Sequence, residues 1–549
     1  MPREVRSFTG RTALRAAGLL ALPTALAVVA ASVLIAGVGN SEPKGAEAPS
    51  AASLADVNHR NADGSTPLQW AVYDGDVAEV KRLIDAGADV SLANNYGATP
   101  MSLAAVVANT EIIKLLLDAG ADANSPNQDG QTALMSVART GNVDAAKLLL
   151  DHGATIDARE NFGGQTALMW ASARRHPEMI ELLLARGANV NLASTNRDYQ
   201  RHVTAEGRPK SLDSGGLTPL LYAARENCIS CLDPLLKGGA DINLPDPDGV
   251  SPLNVAIMNA NWDLAKKLIE AGADVNQWDI YGEAALYNAV GFASRADGGR
   301  ASIDPPNQTK GMDIVKLLLD KGANPNMQLF FRPASVRGST NTRGSTPLIR
   351  AANSLDKPMV KLLLEHGADA TVYTADRQTP IHAVLAGGGG AAIALSNGRP
   401  GAPSAREQDA MELIEMFHKA GTDVNVVALV NHIEEVRGGS ALHYAVRKRY
   451  KEVIKQLASY GIDMNLKDQD GLTALDYTQS RGFMPFMALQ TPIYKDEAAL
   501  LRELGATVLL RKDPEWPVLG PPQGMWPDIW PLGEPVVHEP IYQHKKLAD

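Results

Sequence analysis

Two cysteines, Cys228 and Cys231, are the only ones in the 549-residue chain, and their C-x-x-C spacing has the most chemistry open to it. Such a pair can exchange electrons in a βαβ setting, supply half of a tetrahedral zinc site, or carry haem when histidine follows directly. Leu232 follows here, and no second cysteine pair exists to complete a metal site. Three readings stay open: two small, partly buried residues, a local disulfide in an oxidising compartment, or a redox or metal function. A basic island, Arg197, Arg201, His202, Arg208 and Lys210, is either a contact for an acidic partner or a solvated loop. Gly387–Gly390 is glycine-rich but lacks the Gly-Lys-Ser/Thr ending of a phosphate loop. No metalloprotease helix motif and no nucleophile elbow occurs. The expectation is a protein that is no enzyme and has no cofactor and no metal.

The elements that carry these residues recur. Thr-Pro-Leu or a near variant begins at Thr66, Thr99, Thr132, Thr166, Thr218, Ser251, Ala284, Thr346, Thr379, Ser440 and Thr473, mostly 33 residues apart. In the copy from Tyr96 to Asn124, Thr99 can cap a helix and Pro100 suits its first position. Leu103, Ala104 and Ala105 give a thin apolar face that lets this inner helix lie close to its neighbours. Ile112, Ile113, Leu115, Leu116 and Leu117 form a richer stripe on a second helix, which Gly120 ends in a left-handed cap. Asp129-Gly130 then makes a tight turn. One such unit cannot bury both its helices, so it must stack on the next.

Period and signature resemble the ankyrin repeat family, of an exported, bacterial-type kind. The resemblance covers residues 55–510, about eleven copies, and implies an all-α fold. That fold is an ankyrin-repeat solenoid of stacked helix-turn-helix units with finger turns, interrupted by loop insertions. The insertions are expected near 192–214, 291–310, 327–342, 386–408, 426–438 and 482–495. Aligned on Thr218, Cys228 takes the place of a histidine between the helices and Cys231 that of a buried isoleucine. Trp70, Trp170, Tyr222 and Tyr444 are expected to pack between repeats, and His152, His176, His366 and His443 to hydrogen-bond turns. The family binds partners against fingers and inner helices. The matching residues are Tyr73, Asp74, Val106, Val107, Arg139, Thr140, Arg174, Arg225, Glu226, Met258, Asn259, Asn353, Arg447 and Lys448. This row mixes apolar, acidic and basic groups, so it implies a partly charged protein surface as partner. The departures around Gly291 and Ala386 break a continuous groove there.

A net charge of −10 argues against nucleic acid, which wants a basic stripe, and 5% aromatic content leaves no stacking platform. Arg3, Arg6, Arg11 and Arg15 precede an uncharged run from Ala16 to Gly39, the pattern of an export signal. Residues 1–39 are read as a signal peptide, or as a membrane anchor through 16–39 placing the array in the periplasm or another extracytoplasmic space. A cytosolic protein with an apolar N-terminal helix is the alternative. Residues 40–54 read as a linker. Residues 511–549 are a proline-rich tail with Trp516, Trp526 and Trp530, either covering the last repeat or free as a ligand. The chain is expected to be a monomeric, non-enzymatic scaffold for an unidentified protein partner, touching membrane only through its N-terminal segment. The competing readings are a passive spacer for the tail and a redox protein using Cys228 and Cys231.

Overall fold

Each repeat begins where a hydroxyl meets a turn of backbone amides. Thr66 lies extended, its side chain accepts from the Gln69 amide at 3.3 Å, and the Gln69 Oε1 accepts from the Thr66 amide at 2.8 Å. The two groups close a capping box, and Pro67 enters the helix without losing a bond. Gly75, at φ 71°, ends this helix in the left-handed region and turns the chain back. Asp76 then caps the second helix, accepting from the Glu79 amide at 3.0 Å.

The structure, a computed structural model, describes residues 57–196, 215–294, 307–330, 343–386, 405–429, 438–478 and 494–509. The N-terminal segment, the linker and the Trp-containing tail lie outside the described residues. Helix pairs follow in order: α1 (Pro67–Asp74) with α2 (Val77–Asp85), α3 (Pro100–Val107) with α4 (Thr110–Asp118), α5 (Ala133–Thr140) with α6 (Val143–Asp151), and α7 (Ala167–Ala173) with α8 (Pro177–Ala185). Next come α9 (Pro219–Arg225) with α10 (Ile229–Lys237), α11 (Pro252–Met258) with α12 (Trp262–Glu270), and α13 (Ala285–Ala293) with α14 (Gly311–Asp320). The last are α15 (Pro347–Asn353) with α16 (Lys357–Glu365), α17 (Pro380–Ala386) with α18 (Ala405–Lys419), α19 (Ala441–Lys448) with α20 (Lys451–Ser459), and α21 (Ala474–Thr478) with α22 (Lys495–Glu503). Odd-numbered inner helices pack on one another in chain order, and each is backed by its even-numbered outer helix. One apolar core runs from Leu68 to Ala506, because small inner-helix residues such as Ala104 and Ala138 admit the Leu and Ile of the outer helices.

Two polar ladders run beside this core. Finger amides donate to the preceding finger: Asn95 to the Asp63 carbonyl (3.0 Å), Asn161 to Asp129 (2.8 Å), Ile280 to Asp248 (2.9 Å) and Ala375 to Arg343 (2.7 Å). Beyond the outer helices, asparagine side chains accept from the next repeat. Asn124 Oδ1 takes the Thr155 amide at 2.6 Å, Asn243 that of Asp274 at 2.8 Å, and Asn326 that of Asp369 at 2.7 Å. Backbone groups of neighbouring repeats are thereby satisfied without a sheet. Among the described residues the only β-type pairings are three isolated bridges.

The edges of the expected insertions are built into repeats. Leu329 is buried, and its amide donates to the Ser345 carbonyl (3.1 Å) while its carbonyl accepts from the Gly344 amide (2.8 Å). Glu407, assigned by the sequence to an insertion, belongs to α18 and is buried. Its Oε1 accepts from the Glu452 amide at 2.8 Å and so caps α20 of the following repeat.

Candidate interaction surface

The row inferred from the repeat pattern lies at the C-terminal ends of inner helices. Tyr73 and Asp74 end α1, Val106 and Val107 end α3, Arg139 and Thr140 end α5, and Arg174 caps α7. Arg225 ends α9 beside its cap Glu226, Met258 ends α11 beside Asn259, Asn353 ends α15, and Arg447 with Lys448 ends α19. None of these side chains is buried. Arg139, Arg225, Glu226, Asn353 and Arg447 are half-buried and the others exposed. Their neighbours earlier in each helix supply the core, so helical periodicity alone turns this row outward.

The row changes character along the array. Its N-terminal part is apolar. Tyr73 is 58% exposed, and Trp70 meets it edge-on with ring centroids 6.1 Å apart. Trp70 was expected to pack between repeats, yet it is 42% exposed. The reason is local: in the following repeat Leu103 is half-buried and presents no aromatic partner, so the indole lies along the surface. Tyr222 and Tyr444, by contrast, are buried, and Tyr222 sits with Met169, Leu217 and Leu221 while its hydroxyl accepts from Gln165 Nε2 at 2.6 Å. Trp170 is half-buried against the core.

The middle of the row is basic. Burial holds the Arg139 guanidinium below its usual value, and the positive charge of Arg174 adds to that shift. His176 Nε2 donates to the Arg139 carbonyl at 3.0 Å, fixing the end of α5 against the start of α8. Arg225 lies over the Tyr222 ring, 5.0 Å from its centroid, and pairs with Glu226 at 3.0 Å.

At Gly291 the space that a side chain would take is filled by Arg350. Its guanidinium reaches back from α15 to lie 4.4 Å from the Tyr287 ring centroid, and Nη1 donates to the Tyr287 carbonyl at 3.2 Å. A Cβ on residue 291 would stand 1.9 Å from Arg350 Cζ, so the absent side chain of glycine is what admits the arginine. Sequence reasoning missed this contact because its partners are 59 positions apart across an insertion.

Cys228 occupies the N-cap of α10 without a side-chain cap bond, and Cys231 lies one turn on. The sulfurs are joined, S–S 1.90 Å, with Cα atoms 5.3 Å apart, and both residues are buried. Thiol–disulfide exchange needs an accessible sulfur, which this packing withholds. His152 and His366 each place Nδ1 2.8 Å from a carbonyl of their own helix, Leu148 and Leu362. No helix among the described residues is long and apolar enough to cross a membrane.

A family model for ankyrin repeats in three copies matches residues 48–127, 105–194, 200–294 and 307–395, and one for a single ankyrin repeat matches 437–469. Among curated proteins, the mouse (Mus musculus) B-cell lymphoma 3 protein homolog is 27% identical over 183 residues, 33% of this chain and 35% of that protein. The human transient receptor potential cation channel subfamily A member 1 is 25% identical over 255 residues, 46% of this chain and 18% of the channel. The chain therefore spans only a minor part of the length of these relatives. Among solved structures, the ankyrin repeat domain of Bcl-3 is 27% identical, covering 46% of this chain and 99% of its own, with a TM-score of 0.35. That of human ASB11 is 23% identical, covering 48% and 100%, with a TM-score of 0.36. With family-model matches over most of its length and stacked helical hairpins at the family's period, the chain belongs to the ankyrin repeat family.

Proposed function

We propose that the array is a non-enzymatic scaffold that binds a protein partner along the row from Tyr73 to Lys448. One observation carries this reading: Trp70, Tyr73, Val106 and Val107 expose apolar surface side by side on α1 and α3. Exposed apolar groups that lie together rather than singly mark contact sites. The inner helices beneath are locked by the core, so the row is presented on a rigid support. We further infer that the array works outside the cytoplasm. The support is the arginine-rich start, the uncharged run from Ala16 to Gly39, and the joined sulfurs of Cys228 and Cys231, a pairing that persists in oxidising compartments.

Proximity labelling from the full chain in its own cells, with and without charge reversal at Arg139, Arg174 and Arg225, tests the scaffold reading. Capture of a defined set of proteins that the reversals abolish is the expected result. Capture unchanged by the reversals would leave a passive spacer as the better account. Protease added to intact cells with a permeable outer boundary should digest the array; protection from it would withdraw the extracytoplasmic assignment.

A further inference from the structure

Charge is sorted between the two helix layers. From α3 to α19 no inner helix contains an aspartate or glutamate, whereas every outer helix from α2 to α22 contains at least one. The cations of the inner layer, Arg139, Arg174, Arg225, Arg350, Arg447 and Lys448, therefore face a surface with almost no acid on it, in a chain of net charge −10. Arg225 and Arg350 are engaged, by Glu226 and by Tyr287. Arg139 and Arg174 are not: no carboxylate pairs with either among the described residues, and they stand at the C-terminal ends of two inner helices that pack on each other, the positive charge of Arg174 acting on the half-buried Arg139. Two like charges thus stand at the ends of α5 and α7, Arg139 half-buried and Arg174 exposed, with no carboxylate among the described residues paired to either. Such an arrangement costs stability in the free protein and is relieved by an anion.

We propose that the partner of this row is a polypeptide segment with apolar side chains at one end and carboxylates along the rest. The apolar end lies over Trp70, Tyr73 and Val106, and a carboxylate bridges Arg139 and Arg174. This rests on the scaffold reading and names the chemistry of its partner. Guanidinium groups take carboxylates in a two-pronged geometry that lysine cannot match. A nucleic acid is the other polyanion, but the chain carries a net charge of −10, and two arginines neutralise too few phosphates to hold a strand.

Selection of a displayed library of random peptides on the full chain tests the proposal. Enriched peptides should pair an aromatic or branched apolar residue with a run of Asp or Glu. Their affinity should fall about tenfold or more in the variant R139E/R174E and weaken with added salt. The variant R139K/R174K, retaining charge without the planar fork, should lose less, and it also answers the question if the reversed protein folds poorly. Enrichment of peptides without acidic residues, or affinity unchanged within about twofold in R139E/R174E, would overturn the acidic partner while leaving the scaffold reading intact. A single-stranded oligonucleotide that competes as well as the selected peptides would also overturn it, in favour of a generic polyanion surface. Failure to enrich any peptide would count against both this proposal and the scaffold reading beneath it.

Discussion

Repeats near the N-terminus and repeats near the C-terminus share one fold but are joined by different chemistry. Three residues after the capping hydroxyl, the early repeats carry Gln69, Ser102, Met135 and Met169, and the late ones carry His382, His443 and Asp476. Each histidine is fully buried and bridges two repeats. His382 Nδ1 accepts from the Thr379 amide at 3.3 Å and Nε2 lies 3.0 Å from the Gly439 carbonyl. His443 Nδ1 accepts from the Ser440 amide at 3.1 Å and Nε2 lies 3.1 Å from the Leu472 carbonyl. An amide can only donate and a carbonyl only accept, so Nε2 must carry the proton and the ring must be neutral. The late repeats also bury Glu407, Asp468 and Glu497, while the early ones expose Trp70, Tyr73, Val106 and Val107. At this position the early seams carry no titratable group, Gln69 bridging to the Leu92 and Ala98 carbonyls as a neutral amide, whereas histidine and aspartate make the late repeats conditional on protonation state.

Acidification is the strongest way to test that contrast. Burial lowers both histidines from an ordinary 6.5 to about 4. Because the folded value lies below the unfolded one, their contribution is intact above 6.5 and is lost as pH falls toward 4. The loss is about 2 kcal/mol for each by about pH 5. Glu407 and Asp468, both raised by burial, gain on acidification and offset part of it. Asp279, in the finger before α13, is raised by burial to about 6, so the middle of the array is favoured as pH drops through that value. Repeats can open separately in a one-dimensional stack. Hydrogen exchange compared between neutral and mildly acid pH should show α17 and α19 losing protection while α5 and α7 keep theirs. Uniform loss along the array would remove the distinction.

Arg449 offers the next largest effect. It caps α19 at φ 59°, a conformation that glycine would adopt without strain, yet its side chain is needed. Arg449 Nε is 3.3 Å from Glu497 Oε1, and Glu497 is buried within α22 with its other oxygen unpartnered. The guanidinium also lies over Tyr494, 5.2 Å from the ring centroid. Arg449→Gly therefore strands a buried carboxylate and should cost about 2 kcal/mol, local to the last repeats. The double variant with Glu497→Gln should recover part of it; no recovery would mean that the pair carries no coupling.

Capping hydroxyls should differ in the same direction by less. Thr132 caps α5 through one bond to the Met135 amide at 3.4 Å, and Thr132→Ala should cost about 1 kcal/mol. Ser440 Oγ lies 2.9 Å from His443 Nδ1 inside the late seam, so Ser440→Ala should cost more, about 2 kcal/mol. Urea unfolding of the two variants, followed by exchange at α5 and α19, would order them; equal costs would show the histidine indifferent to its hydroxyl.

How much of this could be read from residues alone follows from how local each feature is. Thr-Pro-Leu openings, glycine caps and leucine stripes act within a few residues, and the helix pairs fall where those signals put them. The outward row was legible for the same reason, since helical phase sets which side of α1 or α5 faces water. The asparagine ladder recurs at a fixed place in the repeat, in Asn58, Asn124, Asn191 and Asn243, but its acceptor role shows only when the next repeat is stacked on it. Arg350 on Tyr287 and Glu407 on α20 were not legible, because an insertion of unknown path separates partners that only stacking brings together. Trp70 misled for a related reason: its identity suggested burial, whereas it lies on the surface edge-on to Tyr73, and the matching residue of the next repeat is Leu103 rather than an aromatic.

The smallest expected effect sharpens the contrast, because it takes the same backbone position as Arg449 in an early repeat. Ala108 ends α3 at φ 55°, where Gly75 and Gly141 end α1 and α5 at φ 71° and 77°. A left-handed alanine is strained by about 1 kcal/mol, and glycine relieves this while adding freedom to the unfolded chain. What Ala108 gives its neighbours is a main-chain group: its carbonyl accepts from Asn142 Nδ2 at 2.9 Å, a bond that glycine keeps. Ala108→Gly should thus stabilise α3 and α4 by about 0.5 kcal/mol, seen as slower exchange of their amides. Opposite signs for Ala108→Gly and Arg449→Gly would mean that backbone geometry governs the early cap and side-chain pairing the late one. Loss at both positions would place the difference between the two regions elsewhere than in their seams.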